Sequence, residues 1–140
     1  MHVTMKLSLP RQPSSVTRAR QVLTTLLGLT DADEEARGHL AVLISEACAN
    51  AVRHSDPEST VDLTIDITDS TCRLEISNRG ITPDGARFSA GLPDPLTVGG
   101  RGLPFMAALA DSATFAAEDS GQVVLRIQKD LPGEKLLGAL

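Results

Sequence analysis

The feature that most constrains this chain is a run of apolar residues in its first half, too long for a strand and too broad for a surface helix. From Thr30 and Asp31 to about Arg53, the positions Leu40, Val42, Leu43, Ala47, Cys48, Ala51 and Val52 are nearly continuous. A helix with so wide an apolar surface is predicted to be buried along much of its circumference, packed against a sheet. Asp31, Asp33, Glu34 and Glu35 crowd its expected first turn, where the helix dipole favours negative charge. Thr30 or Asp31 offers the N-cap.

The sheet that would receive this helix is legible on both sides of it. Val3 to Leu9 alternates apolar and polar residues, as a half-buried strand does, and Pro10 and Pro13 end it. Ser14 or Ser15 is placed to cap a first helix with Val16, Ala19, Val22, Leu23 and Leu26 on one face, stopped by Gly28. After the turn Ser55-Asp56-Pro57-Glu58-Ser59, two alternating strands are expected over Thr60 to Ile67 and Cys72 to Ser77. From Asn78 to Gly102 the periodicity collapses into a Gly- and Pro-rich stretch, longer than an ordinary connector and of the kind that is usually functional. A short helix, Leu103 to Ala110, and a hairpin, Ala113 to Ala117 and Gln122 to Gln128, complete the pattern. Strands that cluster late and pair as hairpins predict an α+β fold: a two-layer sandwich of a mixed, mainly antiparallel sheet with helices on one face. Residues 1–131 are read as a single domain and 132–140 as a frayed tail.

Composition narrows the function. Thirteen basic against eighteen acidic residues give a net charge of −5, and no Lys/Arg run forms a patch, so neither nucleic acid nor an anionic membrane is the expected partner. Three Phe with no Tyr and no Trp argue against a platform for stacking bases. Cys48 and Cys72 make neither a disulfide framework nor a zinc motif, which points to a reducing compartment. With no apolar stretch near the length of a membrane span and no signal-peptide core over Met1 to Pro10, a cytoplasmic location is expected.

Three local patterns carry chemistry. Glu46 and Asn50 are four apart on the long helix, on one face, with Arg53 three further on. A carboxylate and an amide set among apolar residues either bond to backbone and cap loops or form a metal–phosphate site, with Asn50 an oxygen ligand for Mg²⁺ and Glu46 orienting a nucleophile. Asn78-Arg79-Gly80 follows the strand Arg73 to Ser77; it is either a turn or a polar group facing a planar heterocycle with backbone close behind. Gly99-Gly100-Arg101-Gly102-Leu103 opens a helix and either turns the chain or presents backbone N–H groups to phosphate.

In this order, Glu46-x-x-x-Asn50, the strand ending in Asn78-x-Gly80, and Gly100-x-Gly102-Leu103 resemble the N, G1 and G2 boxes of the GHKL ATPases, the superfamily of histidine kinase catalytic domains. Ser45-Glu46-Ala47-x-x-Asn50-Ala51-x-x-His54 most resembles the anti-sigma-factor serine/threonine kinases of bacterial partner-switching systems. The likeness runs from Met5 to Leu131. It implies ATP and Mg²⁺ as cofactors, Asn50 as the metal ligand and Glu46 as the catalytic base. Asn78 would face adenine, with Gly80 allowing its approach. Gly100, Arg101, Gly102 and Leu103 would lie at the phosphates, with Ile81 to Val98 as a lid. The implied partners are a sigma factor, a STAS-type anti-sigma antagonist and a second copy of the chain, with Arg20 facing partners. At position 78 the family normally has Asp, so the sequence also fits a GHKL-fold binding module with weak or lost ATP binding.

Overall fold

The computed structural model describes residues 1–80, 109–117 and 121–132. Strand β1 (Val3–Leu9) leads into α1 (Ser14–Leu27) and α2 (Glu34–His54), followed by β2 (Val61–Ile67), β3 (Thr71–Arg79), β4 (Ser112–Ala117) and β5 (Gln122–Asp130). The expected strands are all present, and β3 runs through Asn78 to Arg79 instead of stopping at Ser77. The five strands form one sheet in the order β1-β2-β3-β5-β4. All four pairings are antiparallel, so the mixed component of the expected sheet is absent among the described residues. Most of the Gly-rich stretch, the short helix up to residue 108 and the tail from residue 133 lie outside the described residues.

Alternation in sequence becomes two apolar rows that cross the whole sheet. One row is Met5, Ile65, Leu74, Ile127 and Ala113; the other is Leu7, Leu63, Ile76, Leu125 and Phe115. Because side chains alternate with period two, a slip of one residue in any pairing would turn its row out to solvent. These rows meet Ala19, Leu23 and Leu27 of α1 and Leu40, Leu43, Ile44, Ala47 and Cys48 of α2 in a single core. The opposite face of the sheet is polar. There Arg126 donates to Glu75 (3.3 Å), Arg73 to Gln128 (3.2 Å) and Thr4 to Asp66 (2.7 Å), lining an open groove of about 520 Å³.

Three local expectations are corrected. Neither Ser14 nor Ser15 caps α1: both lie inside it, Pro13 is the N-cap, and buried Ser15 donates its hydroxyl to the carbonyl of Pro10 (2.5 Å). Proline's fixed φ suits a helix start, and the Ser15 bond ties that start to the end of β1. In α2 the cap is Asp33, not Thr30 or Asp31, with Oδ1 accepting from the Ala36 N–H at 2.8 Å. Thr30 is engaged instead in the preceding turn, donating to Leu27 O and accepting from Ala32 N–H. Finally, α2 is buried along one stripe and not around much of its circumference. Ala36, Leu40, Leu43, Ile44, Ala47, Cys48 and Ala51 face inward, while Val42 is 41% exposed. A two-layer sandwich has no second sheet to cover the far side of the helix.

The apolar rows generate a direct test. Ile65 is fully buried on β2, between β1 and β3, so Ile65→Ala is expected to cost about 2–5 kcal/mol. Chemical denaturation measures it; a loss below about 1 kcal/mol would contradict the close packing of this face under the helices.

Candidate functional site

The site is built where α2 ends against β3. Ser55 terminates α2, its N–H and its hydroxyl both donating to Ala51 O. The chain then crosses to the end of β3: Asp56 N–H donates to Arg79 O at 2.7 Å, Arg79 N–H to Ser59 Oγ at 2.9 Å, and Ser55 bridges Gly80. At Gly80 the two elements touch backbone to backbone. A Cβ there would lie closer than 3.0 Å to the carbonyl oxygen of His54, with Asn78 Nδ2 and Ser55 Cα each at 3.1 Å. Gly80 is therefore required by the fold itself, whatever else approaches it.

This joint fixes the relation between two carboxamides. On β3, Asn78 sits at the end of the inward-facing row of Cys72, Leu74 and Ile76 and is 6% exposed. No hydrogen bond among the described residues reaches its side chain, and its polar atoms are not fully shut off from solvent: among the described residues His39 Nδ1 is the buried side-chain polar atom without a partner. On α2, Glu46 and Asn50 are half-buried and Arg53 is exposed. Helical spacing puts these three on the flank opposite Ser45, whose hydroxyl lies 3.4 Å from the Arg20 guanidinium of α1. One flank of α2 is thus covered by α1, and the other carries the polar residues of the motif. The alternative in which Glu46 and Asn50 cap loops or bond to backbone has no counterpart among the described residues: neither side chain has a hydrogen bond or ion pair there.

Arg20 is exposed on α1 and separated from the carboxamides by the body of α2. Gly100, Arg101, Gly102 and Leu103, with the lid expected over Ile81 to Val98, fall outside the described residues. His54, next to Arg53, has its imidazole held below its ordinary range, first by burial and then by the Arg53 charge. A neutral imidazole at pH 7 is a poor fixed charge for phosphate, which leaves Arg53 as the cation at this end of the helix. Sequence reading missed the clasp of Ser55, Asp56 and Ser59; the signal available was the short polar turn between helix end and strand.

Comparison with known proteins shows the family and the fold. A family model described as the histidine kinase-like ATPase domain matches residues 9–129. This chain belongs to that family. No curated protein sequence matches it. Among solved structures, the fold is similar to that of the RsbU and RsbW domains of Rv1364c from Mycobacterium tuberculosis, with a TM-score of 0.69 at 17% identity. That likeness covers 94% of this chain and 34% of the other, so the chain spans about a third of the length of that protein. The SiaB–SiaC complex from Pseudomonas aeruginosa gives a TM-score of 0.60 at 14% identity, covering 91% of this chain and 89% of that one. The catalytic domain of histidine kinase ThkA gives 0.54 at 12%, covering 94% and 99%. The α+β sandwich expected from the strand pattern is the fold of this ATPase family.

Two glycines of similar sequence appearance separate the joint from ordinary helix surface. Gly80→Ala is expected to destabilise by about 1–3 kcal/mol through overpacking against His54 O. Gly38, inside α2 with nothing within 4 Å of a Cβ, is expected to give the opposite sign on Gly38→Ala, a gain of about 0.5–1 kcal/mol. Thermal melts of the two variants decide this; equal or same-signed shifts would mean that the α2–β3 contact is loose.

Proposed function

We propose that this domain is an ATP-dependent anti-sigma factor and protein serine kinase of the partner-switching type. In this reading it sequesters a sigma factor in one state and phosphorylates a serine of a STAS-type antagonist in another. The observation that carries it is the pair Glu46 and Asn50, half-buried on the free flank of α2 with no protein partner among the described residues, on the helix that clasps the strand bearing buried Asn78.

The residues fit their proposed ligands. Among the described residues no three His, Cys, Asp or Glu side chains gather to hold a metal. A divalent ion bound here would rely on phosphate oxygens and water, with Asn50 as its protein oxygen. That is the donor set Mg²⁺ favours, since it takes few protein ligands and keeps waters. Bound there, the ion would neutralise phosphate charge. Asn78 Oδ1 would accept from the adenine 6-amino group near Gly80, where the space of a side chain is taken by the His54 carbonyl. By family resemblance, Gly100, Arg101, Gly102 and Leu103 complete the phosphate contacts.

Phosphoryl transfer demands positioning more than covalent chemistry from the protein. Glu46 is one helical turn from Asn50, so a serine hydroxyl held by its carboxylate would meet the nucleotide at the γ-phosphate end. The serine oxygen forms the new bond to phosphorus, the β–γ bridge breaks to release ADP, and the hydroxyl proton passes to Glu46. Partner capture would use exposed Arg20, and a second copy would be met through β1, whose outer edge has no strand partner among the described residues. The SiaB–SiaC complex among the similar folds supports a protein partner. A second reading, a binding module without catalysis, is favoured by one observation: the group at position 78 is a neutral amide, and neutral hydrogen bonds have roughly half the strength of charge-assisted ones.

Calorimetry with Mg·ATP separates the readings. The wild type is expected to bind, Asn50→Ala to lose at least tenfold in affinity with its far-UV spectrum unchanged, and Glu46→Gln to bind ATP yet fail to transfer phosphate to a STAS-type substrate. Equal binding by wild type and Asn50→Ala would remove Asn50 from the site. A wild type that binds no nucleotide would leave the non-catalytic module.

A further inference from the structure

We propose that Asn78 makes this a nucleotide site with relaxed choice at the purine 6-position, accepting 6-amino and 6-oxo purine triphosphates to a similar degree. The inference rests on the nucleotide-site reading above and adds to it the class of base the pocket takes. The chemistry follows from the side chain itself. A carboxylate only accepts hydrogen bonds, so it pairs with the 6-amino group of adenine and repels the 6-oxo group of hypoxanthine or guanine. A carboxamide carries an acceptor and a donor on one planar group of nearly constant shape, so it pairs with either base.

Three observations make that ambivalence available at position 78. First, the residue is 6% exposed, so little water reaches it and the base edge bears much of the cost of a mismatch. Second, no hydrogen bond among the described residues holds the amide in one orientation. Turning it by half a rotation exchanges Oδ1 and Nδ2 without breaking a bond, and the torsion that does so has a broad, roughly two-fold profile. Third, the atom beside it is Gly80, with Asn78 Nδ2 3.1 Å from where a Cβ would stand and Ser55 Cα at the same distance. The other atoms nearest that Cβ position are backbone, His54 O and Ser55 Cα.

The test is competition calorimetry with the magnesium complexes of ATP and of inosine triphosphate, which differ at the 6-position without adding a 2-amino group. For wild type the two dissociation constants are expected to agree within about tenfold, well inside the discrimination a site built for one hydrogen-bond pattern achieves. Asn78→Asp is expected to widen the ratio to about a hundredfold or more in favour of ATP, chiefly by weakening the inosine nucleotide. The wild-type ratio decides the matter alone if the buried carboxylate prevents that variant from folding. Tight ATP binding with a wild-type preference above a hundredfold, or an unchanged ratio in folded Asn78→Asp, would overturn the relaxed choice and leave the nucleotide site standing. Failure of wild type to bind either triphosphate would overturn both.

Discussion

Everything proposed for this domain depends on one backbone contact, that of the His54 carbonyl with the Cα of Gly80. It leaves no room for a side chain, and it brings the end of α2, the longer of the two described helices, onto the end of a central strand. Asn50 lies one turn before the helix terminus and Asn78 two residues before the glycine. Their relative placement is therefore set by backbone packing and by the hydrogen bonds of Asp56 and Ser59 to Arg79, not by long flexible side chains. Sites held in this way need little reorganisation when a ligand arrives, which is where positioning enzymes draw their advantage.

The division of labour between the two flanks of α2 follows from the same geometry. α1 covers one flank, where Ser45 meets Arg20, and the sheet takes the apolar stripe from Ala36 to Ala51. What remains is a flank on which a carboxylate, a carboxamide and a guanidinium lie three or four residues apart. Cys48 and Cys72, by contrast, are locked in the core with their thiols pushed up to about 12 by burial. They fill space and take no part in thiolate chemistry at neutral pH. The acidic, aromatic-poor surface expected from composition is also in keeping with a protein-directed domain, and no described helix is long and apolar enough to cross a membrane.

Much of the fold was legible because its signals are periodic. Val61, Leu63, Ile65 and Ile67, with Leu74 and Ile76, alternate cleanly, and all six are buried as that alternation requires. The helix caps differ from the expectation because cap-type residues crowd the first turn of α1 (Ser14, Ser15) and the segment before α2 (Thr30, Asp31, Asp33). Which of them caps depends on tertiary bonds: the Ser15 hydroxyl is drawn to Pro10 and that of Thr30 to Leu27. The extent of α2 burial was overestimated for a related reason, since exposed Val42 and half-buried Val52 look apolar in sequence whether or not anything covers them. At the site, the Glu46–Asn50 spacing and the Asn78-x-Gly80 pattern were visible as residue types. That Gly80 is demanded by a helix carbonyl was not, because the contact joins residues far apart in the chain.

The most direct measurement is a titration of the ¹⁵N-labelled domain with Mg·ATP, following side-chain carboxamide and backbone amide resonances by NMR. The side-chain NH₂ signals of Asn50 and Asn78 and the amide of Gly80 are expected to shift together, with one common dissociation constant, while Thr4, Arg73 and Arg126 on the open face of the sheet stay still. Shifts concentrated on that open face, with Asn50 and Asn78 unmoved at saturation, would contradict a nucleotide site at the α2–β3 joint.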